Sequence, residues 1–137
     1  MSRLLLDTCA VIWTVEGAAM DRRAIEAIDH ATAAGGRVLV SAITAWERGL
    51  LVAKGRLASP LPPILWFQRL LARPEIELAD LSPDILTDAS FLPGTLHGDP
   101  ADRIIIATAR AQDLTVVTRD RLILDYAAAG HLRAIAC

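Results

Sequence analysis

Short apolar runs alternate along this chain with stretches of helical periodicity, and that alternation leaves few ways to fold it. Arg3 to Asp7 reads as a short buried strand, followed by a helix from about Cys9 to Glu16. Asp21 to Ala33 carries Ala24, Ile25, Ile28 and Ala31 at helical spacing. Gly35-Gly36 stops it, and Arg37 to Val40 reads as a second strand. Ser41 is placed to cap a helix from Ala42 to Ala53, which Gly55 ends. Pro60, Pro62 and Pro63 turn the chain into a helix over Ile64 to Ala72, and Glu75 to Leu78 reads as a third strand. Ser82-Pro83 and Asp99-Pro100 each give the N-cap-then-proline signal of a helix start, the second helix running to about Gln112. Leu114 to Thr118 is a fourth strand, Arg121 to Ala129 a helix, and His131 to Ala136 a fifth short strand. Strands that alternate with helices need crossover connections, and near-continuous apolar strands need burial on both faces. The expected fold class is therefore α/β: one three-layer domain over residues 1–137, with a short central parallel sheet flanked by helices.

Against that apolar background, five acids stand where charge is least welcome. Asp7 closes Leu4-Leu5-Leu6, and Glu47 lies within the apolar stretch from Val38 to Val52. Asp99 and Asp102 open the segment that continues into Ile104-Ile105-Ile106, and Asp120 follows Val116-Val117-Thr118. In sheets of this kind ligands bind outside the carboxyl ends of the strands. Asp7 and Asp120 sit just past two such ends, and the helices bearing Glu47, Asp99 and Asp102 are placed to flank the same edge. Each acid has an ordinary alternative. Asp7, Asp99 and Asp120 fit N-cap positions, and Asp102 complements a helix dipole. Glu47 fits a surface glutamate paired with Arg48 or Arg103.

Two carboxylates about 5 Å apart repel by roughly 3 kcal/mol at an effective dielectric of ~20. Several such pairs rival the whole stability of a small domain, roughly 5–15 kcal/mol. Convergence of the acids therefore calls for protonation or for a cation, and all-oxygen ligation suits Mg²⁺ or Mn²⁺ better than zinc. Such a site activates water against a phosphodiester. Other chemistries find less support. The three histidines form no metal-ligand pair, and His97, just ahead of the acidic segment, reads as a loop histidine with a local hydrogen bond, the alternative being a contact to substrate. There is no nucleophile elbow, phosphate-binding loop or dinucleotide fingerprint. Cys9 and Cys137 have no metal or redox spacing and read as free thiols of a reducing compartment.

The chain of 137 residues is 53% hydrophobic with a net charge of −2. That content supplies a full core and hints at a partner surface. The charge speaks against a generic nucleic-acid binder. Lys54 is the only lysine, the other cations being arginine. No bilayer-spanning or secretory segment is evident, so a cytoplasmic protein is expected, without membrane contact. Trp13, Trp46 and Trp66 lie in helical apolar patterns and read as core or partner contacts.

Four motifs in order resemble the PIN-domain family, and more narrowly the VapC toxins of type II toxin–antitoxin pairs. They are Leu-Leu-Leu-Asp7-Thr8, Trp46-Glu47, His97-Gly-Asp99-Pro-Ala-Asp102-Arg103 and Val-Val-Thr118-Arg-Asp120. The resemblance spans essentially the whole chain. It implies a Mg²⁺-dependent endoribonuclease that arrests growth by cutting RNA, with Mn²⁺ as a substitute. It also implies a homodimer, neutralised by a VapB-like antitoxin whose C-terminal segment covers the groove, with operator DNA met only through the antitoxin. Asp7, Glu47, Asp102 and Asp120 match the catalytic acids, and these four with Asp99 the metal-binding set; Asp99 acts as a ligand or holds water. Thr8 and Thr118 match positions that hold water or substrate. Many relatives carry the last acid in a Thr-Arg-Asn-x-x-Asp-Phe context. Here Asp120 replaces the asparagine and Asp125-Tyr126 lies farther on, so the fourth acid is Asp120 or Asp125, with Asp120 preferred as nearer the strand end. Two other readings compete. A catalytically silent module would use the groove only to hold a partner. A receiver-type phosphoacceptor domain would need a lysine after the last core strand, and Lys54 lies in the wrong half of the chain.

Overall fold

A computed structural model of the chain describes residues 3–96 and 98–137. His97 lies outside the described residues. The strands are β1 (Leu4–Leu6), β2 (Val38–Ser41), β3 (Ile76–Ala79), β4 (Thr115–Thr118) and β5 (Arg133–Ala136). The helices are α1 (Thr8–Glu16), α2 (Arg22–Thr32), α3 (Ile43–Ala53), α4 (Pro63–Leu71), α5 (Pro83–Asp88), α6 (Pro100–Gln112) and α7 (Arg121–Ala128). The five strands form one parallel sheet in the order β3-β2-β1-β4-β5. Leu5 faces Leu39 on one side and Val116 on the other, so β1 is the central strand.

Strand alternation divides the core in two. Leu4 and Leu6, with Val38, Val40 and Val117, pack against α1, α2 and α4 through Val11, Ile28 and Trp66. Leu5, with Leu39 and Val116, packs against α6 and α7 through Ile105, Ile106 and Ile123. Burying each such aliphatic side chain contributes about 1.5–3 kcal/mol, and both faces of the short strands are used. The three-layer α/β architecture expected from the sequence is the one observed. The outer strand β5 is the least buried, as its edge position requires.

Helix starts set the positions that matter most for function. Asp7, Asp99 and Asp120 are the N-cap residues of α1, α6 and α7, and each accepts a backbone N–H of its helix through its side chain. The start of α3 differs from the sequence expectation. Its N-cap is Ala42, in helical conformation and without a side-chain bond. Ser41 is still paired with Ala79 in the sheet, and from there its hydroxyl accepts the Ile43 N–H at 3.1 Å. Helix α3 therefore begins with almost no connecting loop after β2, and it packs Ile43 into one core layer and Ala45 and Leu51 into the other. A helix held so close to the strand end keeps Glu47 at the carboxyl edge of the sheet.

The tryptophans part company. Trp66 is buried, Trp13 is half-buried under the Arg119 guanidinium, and Trp46 is 54% exposed. Arg48 is only 1% exposed, lies over the Trp66 ring and meets Glu16 and Ser59 at 3.3 Å each. It therefore ties α3 to α1 and α4 and is not a partner for Glu47. No helix among the described residues is long and apolar enough to cross a membrane.

Candidate active site

The carboxyl edge gathers all five acids, each delivered by a different local rule. Asp7 follows β1 and is 6% exposed. Its Oδ1 accepts the Ala10 N–H at 2.8 Å, and its Oδ2 accepts the Thr118 hydroxyl. Burial raises its pKa, those two donors lower it, and the nearby charge of Asp120 raises it again. Asp7 thus does serve as a helix cap, but capping occupies one oxygen, and the second is turned toward β4.

Glu47 projects from α3, half-buried. It accepts the Thr8 hydroxyl, and Thr8 in turn lies 3.0 Å from the Thr44 hydroxyl. Burial raises the Glu47 pKa, the Thr8 bond opposes that rise, and Asp99 and Asp7 add to it. Asp99 and Asp102 share the first turn of α6, where Asp99 Oδ1 accepts the Asp102 N–H at 2.9 Å. Glu47, Asp99 and Asp102 each offer a carboxylate oxygen within 4.8 Å of the other two. Asp102 is pushed up to about 7, first by burial and then by the charges of Asp99, Asp120, Glu47 and Asp7.

Asp120 is half-buried and caps α7 through Oδ1, 3.0 Å from the Ile123 nitrogen. Its own N–H donates to Thr118 Oγ1 at 3.0 Å, while that hydroxyl donates to Asp7. Thr118 therefore joins the ends of β1 and β4 to the start of α7. Asp120 raises both Asp7 and Asp102, whereas Asp125 is exposed on α7 and does not figure in the field at either. The geometry brings Asp120, not Asp125, into the cluster.

Among the described residues none of the five acids forms an ion pair with a basic side chain. Arg103, beside Asp102 in sequence, donates to the carbonyls of Ala89 and Leu96. With Arg48 held by Glu16, neither arginine considered as a surface partner of Glu47 plays that part. The cluster is oxygen-only and carries raised pKa values at Asp7, Glu47 and Asp102, which is the electrostatic signature of a site that fits a hard divalent cation. Asp99, Asp102 and Glu47 are the residues able to hold it together, with Asp7 and Asp120 adjoining.

Sequence reasoning missed two members of this neighbourhood. Thr44 lies three residues before Glu47, on the same face of α3, and that spacing was its signal. Cys9 sits two residues past Asp7, and its thiol is raised to about 11 by burial and by Asp7, Glu47 and Asp102.

A five-stranded parallel sheet in this order, with acids converging on its carboxyl edge, defines the class as a three-layer α/β protein with an acidic site. The family model for the PIN domain matches residues 4–129, and the chain belongs to that family. It is 33% identical over 122 residues to Ribonuclease VapC22 of Mycobacterium tuberculosis, covering 88% of this chain and 89% of that protein. Among solved structures it resembles FitAcB from Neisseria gonorrhoeae, with 26% identity, a TM-score of 0.59 and 96% of each chain covered. It also resembles DNA-bound VapBC from Salmonella typhimurium, with a TM-score of 0.67 over 99% of this chain and 98% of that one. Identity there is 20%, so that likeness speaks to the fold alone.

Proposed function

We propose that this chain is a metal-dependent endoribonuclease, the VapC-like toxin of a type II toxin–antitoxin pair. The observation that carries the reading is the meeting of Glu47, Asp99 and Asp102 within 4.8 Å, with Asp7 and Asp120 in their field and, among the described residues, no basic side chain ion-paired with them. Mg²⁺, or Mn²⁺ in its place, is the cation of this proposal. Bound there, it would polarise a phosphodiester and make water a competent nucleophile at neutral pH. The ribonuclease name of the M. tuberculosis relative supports RNA as the substrate.

The chain's own residues set the conditions for that chemistry. Thr118 and the Ala10 N–H hold both oxygens of Asp7, so its orientation is fixed before any ligand arrives. Thr8 does the same for one oxygen of Glu47. Both threonine protons are directed at carboxylates, so Thr8 and Thr118 act by aiming ligands and keep only lone pairs for water. Asp102, at about 7, is protonated in a sizeable fraction of metal-free molecules at neutral pH. Cation uptake is therefore expected to release protons and to tighten as pH rises from 6 to 8. Asp120 is the fourth acid of this reading.

A VapB-like antitoxin and a second copy of the chain are the proposed protein partners, in a cytoplasmic complex that meets operator DNA through the antitoxin. Exposed Trp46, Ile64, Leu65 and Phe91 supply apolar surface for such contacts. The test is cleavage of a mixed RNA substrate by the purified chain in Mg²⁺, with the Asp7→Asn variant alongside. Cleavage by the wild type, lost in chelator and in a folded Asp7→Asn protein, supports the proposal. A folded wild type that binds Mg²⁺ and cuts no RNA would point to a silent binding module.

A further inference from the structure

Arg103 follows Asp102 on α6, yet its guanidinium turns away from the acids. Its Nε donates to the Ala89 carbonyl and its Nη1 to the Leu96 carbonyl, both at 2.8 Å. Ala89 closes α5, where carbonyls run out of helical partners. Leu96 lies three residues ahead of Asp99, the N-cap of α6. One planar fork on α6 thus joins the end of α5 to Leu96, a job that a single-point cation cannot do.

The middle of the same connection is held from the other side. The Tyr126 hydroxyl donates to the Pro93 carbonyl. The His131 ring stacks on Tyr126 with centroids 4.5 Å apart, and its Nε2 lies 2.8 Å from where a Cβ on Gly94 would stand. The segment from Ala89 to Leu96 is thus anchored at both ends and near its centre. Among the described residues Arg103 forms no ion pair with any of the five acids.

We infer that Arg103 is a positioning residue for Asp99: by clamping Ala89 to Leu96 it fixes the entry to α6 and holds the Asp99 carboxylate against Glu47 and Asp102 for a divalent cation. The inference rests on the proposed reading of those acids as cation ligands.

The test is Mn²⁺ binding, read from the free-ion electron paramagnetic resonance signal, with thermal melts in parallel. The proteins compared are wild type, Arg103→Met, Arg103→Lys, Asp99→Asn and the Arg103→Met/Asp99→Asn double variant. Arg103→Met is expected to weaken Mn²⁺ binding about tenfold, and Arg103→Lys by a similar factor because one ammonium cannot bridge both carbonyls. In the Asp99→Asn background the same Arg103→Met change is expected to alter binding by less than about twofold, since residues acting as a unit are not additive. Arg103 variants that melt lower but bind Mn²⁺ as wild type would overturn the inference, as would effects that multiply in the double variant. Should Arg103→Met not fold, Arg103→Lys carries the comparison. A wild-type chain that binds no Mn²⁺ would overturn the underlying reading of the acids, and the inference with it.

Discussion

Replacing Asp102 by Asn is expected to stabilise the metal-free protein, although it removes a residue central to the site. Burial and the charges of the neighbouring acids push the Asp102 carboxyl up from an ordinary 3.8 to about 7. Each unit corresponds to about 1.4 kcal/mol, so the ionised group costs about 4 kcal/mol before screening. Asp102 is only half-buried, and solvent screening cuts that to about 2 kcal/mol. Loss of a favourable charge in the first turn of α6 returns about 0.3–1 kcal/mol. The net gain is roughly 1–2 kcal/mol, or a rise in Tm of roughly 3–8 °C for a chain of this size. Because the folded pKa is raised, the native state binds more protons than the unfolded state between about pH 4 and 7. Wild-type stability should therefore fall across that window as pH rises, and the Asp102→Asn curve should be flatter. The assay is thermal melting in chelator at pH 4, 6 and 8. The variant should melt above wild type at pH 8 and level with it at pH 4. In saturating Mg²⁺ or Mn²⁺ the order should reverse, since a ligand at 100 times its Kd adds about 2.7 kcal/mol to the protein that binds it. A variant that melts several degrees below wild type at pH 8 in chelator would refute the electrostatic reasoning.

Asp120→Asn should lower RNA cleavage at least tenfold while Asp125→Asn leaves it within about twofold; the opposite ranking in single-turnover assays would transfer the fourth role to Asp125. Thr8→Val removes the donor that holds the Glu47 pKa down, so the rising limb of the pH–rate profile should move to higher pH. Stability should fall as well, by about 1–3 kcal/mol for polar groups left unpaired, and an unmoved pH limb would deny Thr8 its part. Gly94 has φ +72°, and an added Cβ meets His131, so Gly94→Ala should cost about 1–3 kcal/mol in a chemical denaturation curve. An unchanged midpoint would show that His131 moves aside freely.

The strands were legible because two-sided burial imposes unbroken apolar runs, and Leu4-Leu5-Leu6 and Val116-Val117 admit little else. Helix starts were legible wherever a side chain makes the cap, as at Asp7, Ser82, Asp99 and Asp120. At the start of α3 the Ser41 hydroxyl still accepts the Ile43 N–H, but strand pairing holds Ser41 in the sheet, and the helix begins one residue later than its sequence signal suggests. The left-handed residues Ala34 and Asp113 are likewise imposed by context, since neither is glycine. For the site, acids at strand ends and in apolar helices were readable because charge there needs a reason. Their joint placement was expected from the carboxyl-edge rule and the family resemblance, but the contacts among them were not, because the strand order that sets β1 beside β4 comes from pairing across the whole chain. The burial of Arg48 against Trp66 was invisible for the same reason. Thr118 illustrates both limits: its strand was predictable, but its bridge from Asp7 to Asp120 exists only once β1 and β4 pair.

The most direct measurement is anomalous diffraction from a crystal of the wild-type protein soaked in Mn²⁺. A manganese peak is expected among Glu47, Asp99 and Asp102, within ligand distance of carboxylate oxygens and beside Asp7 and Asp120. A fully ordered site without manganese at millimolar soak, or a peak confined to other acids, would contradict it.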